Sequence, residues 1–257
     1  AGGGADVMVD WMPSALAARE KGLPLVNIAQ PFKSSGMMLT CRKDMGVNTT
    51  ADLKGKTLGV WFYGNEYPFL SWMSRLGLKT DGSANGVTVL RQGWGVEPLT
   101  EGQAACVSTM SYNEYWVVRD AGYSPEQLTV FKYQSEGAAT LEDGLYVHEK
   151  NLSDAAFKDK MVRFVRASMK GWKYAEANPK EAAMIILDND DAGVQTEKHQ
   201  VRMMGEIAKL TAGSNGSLDP ADYERTVKVL MSGDSDPVIT KKPSGAWTNE
   251  ITNAALN

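Results

Sequence analysis

Two kinds of apolar spacing divide the chain. Up to about residue 150, hydrophobic positions come as short runs closed by glycine, proline or polar residues, which predicts β-strands with turns. Beyond it they recur at helical spacing: Phe157, Met161, Phe164, Ser168 and Trp172 predict one helix, interrupted at Asn178-Pro179. A second helix is predicted over 180–187 and a third from Thr196, a ready N-cap, to about Leu210. A fourth starts at Asp219-Pro220, cap then proline in the first turn, and stops near Gly233. The methionine and aromatic stripes of these helices read as core. "DNDDAG" (188–193) lacks the glycine and glutamate a calcium loop needs, so it reads as a solvated turn.

The strand-rich part repeats itself at an offset of one hundred positions. "GGGADVMVDWMPSALAAREKG" (2–22) aligns without a gap on "GQAACVSTMSYNEYWVVRDAG" (102–122). Gly2, Ala5, Val7, Arg19 and Gly22 fall on Gly102, Ala105, Val107, Arg119 and Gly122. Each copy then enters a second apolar run containing Phe-Lys, at 32–33 and 131–132. The order is strand, polar-aromatic loop, helix, glycine, strand, twice over, which predicts two similar α/β lobes. The extended runs "GMMLTCRKD" (36–44) and "LEDGLYVHEK" (141–150) follow the copies directly and read as a hinge pair crossing between lobes.

Ligands of open α/β sheets sit beyond the carboxyl ends of the strands. The loops to watch are therefore 10–14, 64–67 and 110–115. "GVWFYGNEYPF" (59–69) is the most unusual of them: a short strand runs into Gly64-Asn65-Glu66-Tyr67, and Pro68 opens a helix. Together these loops offer aromatic faces (Trp11, Trp61, Phe62, Tyr63, Tyr67, Tyr112, Tyr115, Trp116), acids (Asp10, Glu66, Glu114, Glu142, Asp143) and amides (Asn65, Asn113). A helix N-terminus after a glycine loop is a natural anion site, but Glu66 already stands there, and the nearby loops offer only Lys33 and Lys132 as cations. The set suits a flat, neutral or weakly basic ring carrying N–H donors, such as an amino-substituted heterocycle. The plainer alternative keeps Trp61 and Phe62 as sheet residues packed on a helix, and Glu66 as a first-turn helix acid.

Composition narrows the classes. The 257 residues are 43% hydrophobic and 23% charged, with a formal net charge of −4, so neither nucleic acid nor an anionic membrane surface is indicated as a partner. No apolar run approaches the roughly 20 residues that span a bilayer. "AGGGADVMVDW" enters a strand at once, with no leader and no preceding element, which reads as a start that is not the native one and leaves export open. The two cysteines, Cys41 and Cys106, lie in apolar strand-like runs and read as small buried hydrophobes, with a disulfide as the alternative. The two histidines, His148 and His199, have no partner nearby in sequence, so a catalytic triad or histidine metal site is unsupported; no cofactor, metal or catalytic residue is expected.

Several stretches resemble a known family. "ADLKGKTLGVW" (51–61), G-x-A-D-V with "AREKGLPLV" behind it, and "GWKYAEANPKEAAMII" (171–186) are similar to periplasmic substrate-binding proteins of ABC importers, in particular to the group that binds pyrimidine precursors of thiamine and is related to the yeast enzyme making that pyrimidine. The resemblance covers almost the whole chain. It implies an α/β type II periplasmic-binding-protein fold, with two lobes on a two-strand hinge, C-terminal helices, and closure over a small ligand without chemistry. Residues 1–36 would be part of lobe one, 37–143 the hinge strand and lobe two, and 144–257 the return to lobe one and the helices. Members of the group carry a further strand, loop and helix ahead of the position matching Ala1, so part of lobe one is expected to be missing. The implied setting is a periplasmic monomer that hands its ligand to a membrane permease. Asp10, Trp11, Trp61, Gly64, Asn65, Glu66, Tyr67, Asn113, Glu114, Tyr115, Glu142 and Asp143 are the expected ligand-binding residues. Two alternatives remain: a binding protein for a sulfonate, taurine or nitrate, disfavoured by the acidic loops, and a pyrimidine-synthase-like enzyme, disfavoured because that enzyme's cysteine-rich stretch has no counterpart here.

Overall fold

The computed structural model describes residues 4–232 and 237–256. Gly2, where the first repeat copy starts, and the expected helix stop near Gly233 lie outside the described residues. The chain divides into two compact units: Ala1–Ser35 with Thr140–Val227 and Ile239–Asn257, and Gly36–Ala139 with Lys228–Val238.

The first unit opens with strand β1 (Met8–Asp10), helix α1 (Met12–Glu20) and strand β2 (Leu25–Ala29). The second unit holds β3 (Met37–Arg42), β4 (Thr57–Val60), α2 (Glu66–Arg75), β5 (Thr88–Arg91), α3 (Glu97–Thr100), β6 (Cys106–Met110), α4 (Glu114–Asp120) and β7 (Leu128–Lys132). The chain returns to the first unit with β8 (Gly144–His148), α5 (Ala155–Ala177), α6 (Pro179–Asp188) and α7 (Glu197–Thr211). Helix α8 (Pro220–Met231) runs on into the second unit's share of the chain, and α9 (Glu250–Leu256) belongs to the first. Strands β3 and β8, read from sequence as the hinge pair, each lie in one unit's own sheet; the chain changes unit just ahead of them, at Ser35–Gly36 and Ala139–Thr140.

In the first unit β8 lies between β1 and β2, antiparallel to both. Alternation along β8 assigns its faces. Leu145 and Val147 join a core with Phe157, Met161, Val165 and Met169 of α5 and Ile251 and Ala255 of α9, while Tyr146 turns the other way and donates from its hydroxyl to Met12 Sδ of α1. The C-terminal helices start where side-chain oxygens can cap them: Asp154 accepts from Ala156 N at 2.9 Å and Asp219 from Ala221 N at 2.8 Å.

The second unit's sheet runs β5–β4–β6–β3–β7. Strand β4 is parallel to β5 and β6, and α2 and α3 supply the crossovers parallel neighbours need. Strand β3 is antiparallel to β6 and β7. Buried Trp72 of α2 packs edge-on against Phe131 and Tyr133. Cys41 of β3 stands directly opposite Cys106 of β6 and is joined to it by a disulfide, so the alternative reading holds and these are not free thiols.

The two repeat copies fold alike. Strand, helix, a glycine at positive φ (Gly22, +94°; Gly122, +103°) and a second strand follow in the same order in each unit. Glycine ends both helices because a left-handed residue there carries no Cβ penalty.

Candidate functional site

In the first unit the β1 and β8 register sets Asp10 opposite Gly144 and so brings Asp10, Trp11 and Asp143 together across more than 130 positions of sequence. Asp10 Oδ1 accepts the Trp11 backbone N–H at 2.8 Å, and the Trp11 indole Nε1 donates to Asp143 Oδ1 at 3.2 Å. Burial pushes the Asp143 carboxyl up to about 6; the indole hydrogen bond works against this, and the Asp10 charge works with it. Burial likewise raises the pKa of Asp10, opposed by the Trp11 N–H. Asp143 also holds a positive φ of 34°, a conformation that costs a non-glycine residue roughly 1–3 kcal/mol and tends to gather at functional sites. A buried polar strip runs beside the pair. Asn27 Nδ2 donates to Gln30 Oε1 at 3.0 Å, Gln30 Nε2 donates to the Glu142 carbonyl, and Ser35 Oγ donates to Glu142 Oε1. Asn27 Oδ1 is buried with no hydrogen-bond partner among the described residues. Glu142 is therefore placed beside Asp143, with its carboxylate engaged by Ser35.

In the second unit β4 ends at Val60, two residues earlier than the sequence run suggested, so Trp61 and Phe62 lie in the loop. Helix α2 begins at Glu66, two residues ahead of Pro68; a proline in the first turn lacks only an N–H that has no intrahelical acceptor anyway. Glu66 Oε2 accepts the Gly64 N–H at 2.7 Å, closing the turn, and leaves Oε1 open among the described residues. Tyr63 has φ +66°; with Asp143 it makes up the positive-φ non-glycine residues of the described chain, one in each unit's candidate site. Asn65 and Tyr67 flank Glu66 and are half-buried; burial, then the Glu66 charge, raises the Tyr67 phenol.

The β6–α4 turn is more self-contained. Glu114 accepts from Met110 N at 2.8 Å and from Asn113 Nδ2 at 2.7 Å, so both carboxylate oxygens serve their own turn. Burial raises its pKa, and these hydrogen bonds oppose the rise. Tyr115 packs on the Val107–Val118–Leu128 cluster and edge-on to Trp116.

One residue changes the charge reading. Strand β5 runs parallel to β4 with Arg91 level with Val60, so Arg91 reaches the same sheet edge as the β4–α2 loop. Its guanidinium lies 5.0 Å from the Phe62 ring centroid and 4.9 Å from that of Tyr63. The expectation that Lys33 and Lys132 are the only cations near these loops is thereby corrected; Lys33 itself donates to the Ser217 carbonyl, and burial lowers its pKa against the pull of Asp222 and Asp219. The signal available in sequence was an arginine closing a short β-branched run, "VTVLR" (87–91).

A family model described as NMT1/THI5 like matches residues 1–182, more than half of the chain. The chain belongs to the NMT1/THI5-like family. It is 23% identical over 261 residues to the formylaminopyrimidine-binding protein of Halalkalibacterium halodurans, covering 97% of this chain and 76% of that protein. A protein from Methylobacillus flagellatus KT, provisionally assigned as the periplasmic sulfonate-binding protein of an ABC transporter, superposes with a TM-score of 0.69 at 13% identity over 99% of this chain and 75% of its own. The desulfurization enzyme DSZB superposes with a TM-score of 0.65 at 14% identity, over 97% of this chain and 84% of the enzyme. This NMT1/THI5-like chain thus has the mixed α/β periplasmic-binding-protein fold, which also hosts an enzyme, so the fold alone does not name the function.

Proposed function

We propose that this chain is the substrate-binding protein of an ABC importer, and that its ligand is a small amino-substituted aromatic heterocycle of the pyrimidine type, held without chemistry. The observation that carries the reading is the Asp10–Trp11–Asp143 group: a buried, strained carboxylate beside a second acid and an indole. Carboxylates accept the N–H donors of an aminopyrimidine, and an indole offers it a stacking face. Taken by itself, the second unit offers a group of the same kind, with Glu66 Oε1 and Asn65 as polar partners and Trp61 and Tyr67 as ring faces. The similarity to a formylaminopyrimidine-binding protein supports the same ligand class. Cys41 and Cys106 are bonded to each other, which supports a carrier over a pyrimidine-synthase-like enzyme with a cysteine-rich stretch, and a location in an oxidising compartment such as the periplasm. The partner would be a membrane permease, and the working form a monomer.

Native mass spectrometry of freshly purified protein, with the released molecule identified, tests the reading first. Recovery of an aminopyrimidine supports it, and recovery of an aliphatic sulfonate refutes it. Titration calorimetry with formylaminopyrimidine completes the test: Asp143→Asn should weaken binding at pH 8 by about tenfold or more, the effect of losing one charge-assisted hydrogen bond.

A further inference from the structure

We infer that the ligand carries an oxyanion on its ring, and that Arg91 is the residue that reads it. The inference rests on the heterocycle reading above and adds a substituent to it. Arg91 sits at the carboxyl edge of β5, level with the end of β4, where the β4–α2 loop begins. Two rings of that loop lie against its guanidinium at about equal distance, 5.0 Å for Phe62 and 4.9 Å for Tyr63. Among the described residues it has no carboxylate partner, although the chain carries more acids than bases. An arginine that is oriented but unpaired, with its planar fork free, is suited to bidentate recognition of a carboxylate, sulfonate or phosphate oxygen pair.

The surroundings fit a ring bearing that group. Tyr63 is 88% exposed and Trp94, in the loop following β5, is 95% exposed. Tyr63 is largely exposed while its ring contacts Arg91, and Trp94, on the neighbouring loop, is a large aromatic in water that offers a stacking face. The loops are tied to each other by the Trp61 indole N–H, which donates to the Gly93 carbonyl at 3.0 Å, so Arg91, Tyr63 and Trp94 belong to one local framework. Glu66 lies three residues beyond Tyr63 with Oε1 open. The framework therefore offers an acceptor for a ring amino group and a cation for an oxyanion, which selects a bipolar ring over both a purely basic heterocycle and an aliphatic anion.

The test uses an isosteric pair, 4-aminopyrimidine-5-carboxylate and 4-aminopyrimidine-5-carboxamide, titrated calorimetrically into the full chain. The wild type should bind the carboxylate about tenfold or more tighter than the carboxamide, and the ratio should shrink as salt is raised. Arg91→Gln should bring the ratio to about one while leaving carboxamide affinity within about twofold, and Arg91→Lys should restore only part of the preference. Because Arg91 is exposed, unchanged thermal melting of these variants serves as the folding control. Equal wild-type affinities for the two probes, or an Arg91→Gln loss shared by both, overturns the assignment of Arg91 while leaving the heterocycle reading intact. Failure of the wild type to bind either probe overturns the heterocycle reading and this inference with it.

Discussion

Reduction of the Cys41–Cys106 disulfide should destabilise the second unit by about 4 kcal/mol. The bond closes a loop of 65 residues, and the loop-entropy relation for that length gives about 4.3 kcal/mol at 25 °C. The cross-link adds this constraint to the unfolded chain, since β3 and β6 already pair with Cys41 opposite Cys106 in the sheet. Hydrogen-exchange mass spectrometry is the assay that resolves the units. Peptides covering β3 and β6 should lose about a thousandfold in protection on reduction, while those covering β1, β2 and β8 keep theirs. Cys41→Ala/Cys106→Ala should match the reduced wild type apart from a small additional loss from the missing sulfurs, and the oxidised wild type should titrate with no free thiol. A loss below about 1 kcal/mol, or one shared equally by both units, would refute the reasoning, because the entropy of a loop confined to one unit cannot spread evenly over two.

The raised Asp143 carboxyl sets a pH dependence of known sign. Its folded pKa of about 6 lies above the ordinary 3.8, so the folded state binds the extra proton; stability is greatest at low pH and falls as pH rises from about 4 to about 6, by on the order of 3 kcal/mol, and Asp143→Asn should abolish that slope in urea titrations. Gly144→Ala should lower Tm and cost about 1–3 kcal/mol, because an added Cβ would lie 2.3 Å from Asn27 Nδ2 and 2.7 Å from Gln30 Oε1; unchanged melting would show that the polar strip is not the close-packed unit described. Tyr63→Gly should relieve the positive φ and stabilise the ligand-free protein by up to about 1 kcal/mol while weakening heterocycle binding, a split that melting and calorimetry read separately.

What the sequence made legible follows from how far each feature reaches along the chain. The two α/β copies were readable because each strand, helix and closing glycine is specified within about twenty positions, and Gly22 and Gly122 mark the same turn twice. Glu66 was readable as a loop acid for the same reason, since its partner Gly64 is two residues away. Glu114 shows the opposite face of that locality. Its acid, amide and backbone partners all lie within five positions, so residue type alone could not tell a ligand group from one spent on its own turn. The features that give each unit's candidate group its chemistry depend on strand neighbours instead. Asp143 is raised and held against Trp11 only because β1 pairs with β8, and Arg91 reaches Phe62 and Tyr63 only because β5 lies parallel to β4. Neither pairing has a local signature, and a one-residue slip of register would turn Arg91 to the other face of the sheet. The acids were therefore visible as candidates while the cation beside Phe62 and Tyr63 was not, and a charge argument drawn from loops alone was bound to come out too negative: Arg91 stands at the end of a strand.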